Sequence, residues 1–222
     1  MKKLTQNQTA RLAGFLYLLL IPLGIMGIIY VPTNFIIVND IEATINNFIE
    51  NELLVRIAIS SAFSVQLVNI FVALLLYKLL KNVNKALAVF MVISILIAIP
   101  IVFVNELNYF AVLHLLPNAS ENQKLISLFL NLHESGIFIA QIFWGIWLFP
   151  MGMLVYKSGF LPKAIGVLLM IGCFGYMIDS FVFFINPKFN ITFSEFTFIG
   201  EVVLPLWLII KGVKNKETRQ ET

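Results

Sequence analysis

Long apolar runs alternate with short polar stretches along the whole chain. Each run is close to the ~20 residues that an α-helix needs to cross a bilayer core of roughly 30 Å. None shows the strict apolar–polar alternation of a barrel strand, and helices satisfy their own backbone hydrogen bonds inside lipid. The pattern therefore predicts an all-α membrane bundle of about six transmembrane helices, over residues 12–30, 55–77, 86–104, 135–156, 162–184 and 194–210.

Two of the polar stretches, residues 31–54 and 105–134, are long enough to hold structure of their own. Asp40, followed closely by Glu42, predicts the start of a surface helix over residues 40–50, because Asp is a favoured N-cap. Ser120 and Gln123 have the spacing of a capping box. They predict a second helix start, from which the chain runs into the fourth crossing.

The basic residues predict the orientation of the bundle. Most of the 15 Lys and Arg residues fall on one side of the six crossings, and the acidic residues fall on the other. Since cytoplasmic loops carry an excess of Lys and Arg, both termini are predicted to be cytoplasmic. The predicted cytoplasmic residues are Lys2, Lys3, Arg11, Lys78, Lys81, Lys85, Lys157, Lys163, Lys211, Lys214, Lys216 and Arg219.

Composition supports one membrane domain over residues 1–222. Apolar residues make up 59% of the chain and charged residues only 12%, against roughly 45–50% and about 25% in soluble domains. The net charge of +3 lies in short loops, so nucleic-acid binding is not predicted. Cys173 is the single cysteine, which excludes an intramolecular disulfide and a cysteine-rich zinc site. The first apolar run is longer than a signal-peptide core and is predicted to be retained.

Polar side chains form stripes at helical spacing inside the predicted crossings. An ionisable residue in a membrane helix is costly to bury and is by default a functional hypothesis. Asp179 shares a face with small residues, where a neighbouring helix approaches closely. Glu201, about 10 Å from the outer end of the sixth helix, is the deepest carboxylate. The stripes comprise Ala58, Ala62, Gln66, Asn69 and Ala73; Ser94, Ala98 and Asn105; Glu134, Gln141, Gly145 and Gly152; Gly172, Gly175 and Asp179; and Ser194, Thr197 and Glu201.

These stripes leave three function classes open. A small transporter or permease-like protein uses them to line an outward-facing polar pocket for a small ion, a proton or a polar solute. A structural, regulatory or partner-binding protein uses them to hold helices together, which predicts a closed bundle and an exposed seam of small residues such as Ala58 and Ala62. The candidate pocket residues are Arg56, Gln66, Glu106, His133, Glu134, Gln141, Asp179 and Glu201, with Arg56 as the nearest cationic partner for Glu201.

An intramembrane enzyme is the least favoured class. It requires His133, or Ser and Asp groups, within hydrogen-bond reach of one another. The chain has no HExxH, GxSxG or Walker A sequence, so no catalytic residue, metal ligand or cofactor is predicted. Tyr17, Tyr176 and Trp147 are interpreted as interface anchors or packing residues. The lipid bilayer is the predicted partner, with a small ion or polar solute as a second partner under the transporter hypothesis, and a homo-oligomer or a partner membrane protein stays open.

Several stretches spread over nearly the whole chain carry a resemblance to a known family. They are ARLAGFLYLL near the start, LYKLLKNVNKALA over residues 76–88, WGIWLFPMGMLVYKSGFLPKAIGVLLMIGCFGY over residues 144–176, and LWLIIKGV over residues 206–213. Through them the chain resembles the bacterial membrane family known as domain of unknown function 4386. The resemblance implies a multi-pass protein of the bacterial inner membrane and supplies no activity and no catalytic residues.

Overall fold

The fold is all-α. A computed structural model describes residues 4–186 and 192–213, and these contain α-helices and no β-strand. Lys2, Lys3, Lys188, Lys214, Lys216 and Arg219 lie outside the described residues. The helices are α1 (Gln6–Gly24), α2 (Tyr30–Phe35), α3 (Ile41–Glu50), α4 (Glu52–Leu80), α5 (Lys85–Asn105), α6 (Leu107–Leu115), α7 (Ala119–Lys157), α8 (Lys163–Ile185), α9 (Ser194–Thr197) and α10 (Ile199–Ile210).

Four continuous helical runs in the described chain are long and apolar enough to cross a membrane. The first joins α1 to α2 through a π-helical turn at Ile25–Ile29. The third joins α5, α6 and α7, and it bends back so that α7 returns along α5. The four runs are Gln6–Phe35, Glu52–Leu80, Lys85–Lys157 and Lys163–Ile185.

Six helices form a closed ring in the order α1, α4, α5, α7, α8 and α10. Each packs chiefly on its two neighbours, and α10 closes the ring by packing on α1. Glycines allow the closest approaches, since a Cβ on Gly152 of α7 would lie 2.6 Å from the carbonyl oxygen of Gly166 on α8. At the closing seam the amide of Val213 donates to Asn7 Oδ1 at 3.3 Å. The two ends of the described chain therefore meet at one end of the ring.

A smaller unit, the cap, covers the opposite end of the ring. It consists of α2, α3, α6 and the beginning of α7, together with the start of α4. Its apolar core is separate from the core of the ring and includes Phe48, Tyr109 and Ile126, each about 1% exposed. The predicted polar segments 31–54 and 105–134 supply this unit, so they are folded parts of the molecule.

Helix starts agree with the sequence at one predicted position and differ at another. Asp40 caps α3 by accepting a hydrogen bond from the amide of Ala43 at 2.9 Å, as predicted. The predicted cap at Ser120 is wrong, because α7 begins at Ala119 with Asn118 as its N-cap. A 3₁₀ turn over Leu116–Asn118 leads straight into α7, so the backbone is already helical at Ser120.

Helix lengths exceed the predicted apolar runs wherever the cap extends them. The predicted run 12–30 is part of the longer helix Gln6–Phe35, and the run 135–156 is the second half of α7. Polarity ended these predictions early, but amphipathic helices continue wherever one face is buried against the cap. The runs 55–77, 86–104 and 162–184 match α4, α5 and α8 to within a few residues, while a turn at Phe198 divides the run 194–210 into α9 and α10.

Candidate functional site

Glu201 lies on α10 in the interior of the ring. Its Oε2 accepts a hydrogen bond from the Tyr17 hydroxyl of α1 at 3.2 Å. Its Oε1 is buried and has no hydrogen-bond partner in the described chain. The residue lies about 15 Å along the helix from Lys211, half the thickness of a bilayer core of roughly 30 Å.

Aromatic side chains from three helices surround this carboxylate. Tyr176 of α8 faces it as a second phenol. The indole of Trp147, on α7, is in hydrogen-bonding contact with the Tyr17 hydroxyl, and the two rings meet edge to face at 6.3 Å. Four of the six ring helices thus converge on one network, which we call the central network: Tyr17, Trp147, Tyr176 and Glu201.

The central network holds a carboxylate without a cation. The predicted partner, Arg56, instead pairs with Glu52 of its own helix, with 2.6 Å between Nη2 and Oε1. Both side chains are about half exposed, at 50% and 48%. Among the described residues two phenols contact this carboxylate and its buried Oε1 has no hydrogen-bond partner, which leaves that oxygen available to a proton or a small cation.

Asp179 has a structural setting, although it is as deeply buried as a functional residue would be. Its two oxygens accept the backbone amides of Phe193 at 2.7 Å and Ser194 at 2.8 Å. The carboxylate therefore caps the start of α9 and neutralises amides that the helix itself leaves unpaired. The predicted close approach at the small-residue face is confirmed, because Gly175 packs directly on Thr197.

Glu106 and His133 form a second buried pair where the cap meets the ring. Glu106 Oε1 lies 3.2 Å from His133 Nε2, and the two residues are 0% and 3% exposed. The Asn105 side chain donates to the His133 carbonyl at 2.9 Å, and the Tyr109 ring stacks on the imidazole at 3.6 Å. Glu106 Oε2 is buried without a partner in the described chain.

Two predicted glutamines lie between these groups. Gln66 is 0% exposed, and neither its amide nitrogen nor its amide oxygen has a partner among the described residues. Gln141 is 7% exposed. Glu134, although next to His133 in the sequence, is exposed on the surface of α7.

The predicted pocket residues thus occupy different settings. Glu201 belongs to the central network, Glu106 pairs with His133, Gln66 and Gln141 are buried in the bundle, Asp179 caps α9, and Arg56 and Glu134 are exposed. The aromatic members of the central network were not predicted, because an apolar helix places tyrosine equally often at an interface. Only the three-dimensional ring brings residues 17, 147, 176 and 201 together.

The structure also bears on the rival classes. The prediction that Ala58 and Ala62 form an exposed seam, as in a partner-binding protein, is wrong, since both residues are 0% exposed. Ala62 instead packs against Gly27 of the π-helical turn. The Glu106–His133 contact meets one requirement of the enzyme class, a histidine within hydrogen-bond reach of an acid. In the described chain, however, the His133 ring contacts this carboxylate and not a nucleophile. No group of three or more metal-binding side chains occurs within the described residues.

Comparison with known proteins identifies a family and assigns no activity. A family model described as "Domain of unknown function (DUF4386)" matches residues 12–212. An uncharacterised protein of Archaeoglobus fulgidus is 44% identical over 79 residues, which are 36% of this chain and 48% of the relative. The chain therefore spans about half the length of the relative that it matches. No solved structure matches it.

Proposed function

The chain belongs to the DUF4386 family, and on this premise we propose that it is a small transporter-like membrane protein whose central carboxylate, Glu201, binds a proton or a small cation. The single observation that carries the proposal is the setting of this carboxylate. It is held by phenols in the interior of a helical ring, with one buried oxygen unpartnered.

The proposal includes a topology of six crossings. The run Lys85–Lys157 supplies two of them, since α7 returns along α5, and α9 with α10 supplies the last. The short apolar α10 packs between α1 and α8, as a spanning helix of a bundle does. The excess of Lys and Arg at the end of the ring where Asn7 meets Val213 favours cytoplasmic termini in a bacterial plasma membrane.

The cost of burying Glu201 favours a functional role over a purely structural one. A carboxylate at the centre of a membrane helix is unfavourable by about 2.5–3.5 kcal/mol on insertion scales. A polar residue that only joins helices returns about 0.6–2 kcal/mol. On this scale a Glu201 that only joins helices, through Tyr17 and Tyr176, returns less than the cost of its charge, whereas a bound proton or cation removes that charge.

A structural or regulatory protein without transport is the second candidate. The observation in its favour is Asp179, a buried carboxylate that the backbone of α9 satisfies completely. If Glu201 is used in the same way, its removal destabilises the bundle and no ligand response exists.

A stability titration distinguishes the two candidates. Purified protein in detergent is heated across a range of pH and in Na⁺, K⁺ and Mg²⁺, comparing wild type with Glu201→Gln. The exposed carboxylate of Glu134 provides the matched control, Glu134→Gln. The proposal expects a pH- or cation-dependent melting temperature in wild type and Glu134→Gln that Glu201→Gln lacks while staying folded. An equal response in all three proteins contradicts it.

A further inference from the structure

We propose that the ligand of the central network is a proton, which reaches Glu201 from the cap end of the ring through water molecules held by Gln66. The outer acceptor of this route is the Glu106–His133 pair. The inference rests on the proposed function, since it assigns the ligand and the path of the same site.

The first observation concerns the unpartnered polar atoms. In the described chain, the buried side-chain nitrogen and oxygen atoms without a hydrogen-bond partner belong to three residues, Glu106, Gln66 and Glu201. Natural proteins rarely leave such atoms unpaired, and ordered water is their usual partner. Gln66 and Glu201 lie on helices of the ring, and Glu106 lies at the end of the ring that the cap covers.

The second observation is that these residues lie at three successive levels of the ring. Phe63 of α4 stacks on Phe103 of α5 at 5.1 Å, which places Gln66, one turn further, level with Pro100. On the other side of α5, Gly136 of α7 packs so closely on Asn105 that a Cβ there would collide with it. Because α7 runs antiparallel to α5, the five residues from Gly136 to Gln141 cover the same height as the five from Asn105 to Pro100. Gln141 is therefore level with Pro100 as well.

Distances along α7 complete the order. Gln141 lies about 12 Å from His133 in one direction and about 9 Å from Trp147 in the other, at about 1.5 Å per residue. The two glutamine amides therefore occupy the middle level between the Glu106–His133 pair and the central network. Their spacing is too long for direct hydrogen bonds and suits bridging by a few waters.

The chemistry of the two ends is suited to proton transfer. At the outer end Tyr109 of α6 stacks on His133, and Glu106 and Glu134 both lie within electrostatic range of this phenol. Glu134 itself is exposed on the surface of α7 and is not part of the route. At the inner end Glu201 faces Tyr17 and Tyr176, with Asp179 also acting on Tyr176.

A transfer along this route is balanced in atoms and charge. The pair takes a proton from solvent, and its N–H or O–H bond then breaks as an O–H bond forms on the first bridging water. Each water passes on one proton in turn. The last step forms an O–H bond on the Glu201 carboxylate, so one positive charge moves inward and nothing is oxidised or reduced.

The test follows proton entry into proteoliposomes that contain a pH-sensitive dye. After an external acid step, Gln66→Leu is expected to slow the protein-dependent acidification about tenfold or more, a barrier increase of about 1.4 kcal/mol. Gln66→Asn, which keeps the amide, restores part of the rate. Ser61→Ala is the matched control, because it removes a buried polar group of α4 whose hydrogen bond to the Leu23 carbonyl is already made.

A second measurement separates failure of the route from failure of the function. Infrared titration in detergent reports protonation of Glu201 at equilibrium, where a slow path does not matter. If Gln66→Leu acidifies as fast as wild type while Glu201 still titrates, the route is overturned and the proposed function stands. If wild type shows no titration that depends on Glu201, the route and the proposed function are both overturned.

Discussion

The cap and the ring treat their buried polar groups in opposite ways. In the cap, Thr44 donates to the Asp40 carbonyl at 2.8 Å and accepts the Ile37 amide at 2.9 Å. In the ring, Gln66 is equally buried and bonds to nothing in the described chain. The cap uses polar side chains to fix a local backbone shape, whereas the ring leaves some of them available to a ligand.

Within the ring, two carboxylates show the same contrast. Both oxygens of Asp179 accept backbone amides, while Glu201 accepts a hydroxyl on Oε2 and has no hydrogen-bond partner on Oε1 among the described residues. Asp179, at 5% exposure, is more deeply buried than the partly buried Glu201, so burial alone does not separate a structural acid from a functional one. The hydrogen-bond donors separate the two acids. The fold fixes the backbone amides that bind Asp179, whereas Oε1 of Glu201 has no donor among the described residues and can bind a ligand.

The largest effect is expected from Asp179→Ala. The substitution leaves two amides at the start of α9 without their acceptor, and hydrogen bonds to a charged group contribute about 1.5–3 kcal/mol each. We expect a loss of about 3 kcal/mol in the free energy of unfolding, measured by denaturant titration in mixed micelles. Ser180→Ala, which removes only a bond to the carbonyl of its own helix, is the control. Equal stability of Asp179→Ala and wild type would show that the amides have another acceptor.

Gly152→Ala tests the closeness of the ring helices and is expected to cost about 2 kcal/mol. A Cβ at this position meets the Gly166 carbonyl at 2.6 Å, so α7 and α8 must separate. Gly24→Ala is the matched substitution, because a Cβ there has open space and gains up to about 1 kcal/mol of helix propensity. Opposite changes in melting temperature are expected, and changes of the same sign would contradict the packing described for the ring.

The pair Thr44→Val and Gln66→Leu compares the cap with the ring directly. Thr44→Val should lose about 1 kcal/mol, because its hydrogen bonds are made. Gln66→Leu should leave the free energy of unfolding unchanged or raise it by about 1 kcal/mol, because it breaks no hydrogen bond to another described residue and the leucine side chain needs no polar partner. Thermal unfolding of both variants measures the difference, and a larger loss at Gln66 would mean that its amide has a structural partner.

The smallest effect is expected from Arg56→Gln. The pair with Glu52 is about half exposed, and such surface pairs contribute between about 0 and 1 kcal/mol. We expect a change within about 0.5 kcal/mol, and no change in ligand response. A lost pH response in Arg56→Gln would instead restore Arg56 as a partner of the central carboxylate.

Sequence reasoning located most of the elements but few of the partners. Apolar runs identified the long helices, and helical spacing placed Gln66, Asn105 and Asp179 on buried faces, since both signals are local. The Glu106–His133 pair and the contact of Glu201 with Tyr17 depend on which helices become neighbours in the ring. Asp179 shows the limit most clearly, because its partners are backbone amides 14 and 15 residues further along the chain, and no side-chain pattern indicates them.

The central claim is that Glu201 binds a proton or cation in the interior of the ring. Infrared difference spectroscopy tests it most directly, by comparing the carboxylic acid carbonyl band between alkaline and acidic samples of wild type and Glu201→Gln. The account predicts a band that appears on acidification in wild type, shifts in Tyr17→Phe, and is absent from Glu201→Gln. Identical difference spectra for wild type and Glu201→Gln would contradict proton binding at Glu201, and the failure of Na⁺, K⁺ and Mg²⁺ to change them would contradict the cation alternative.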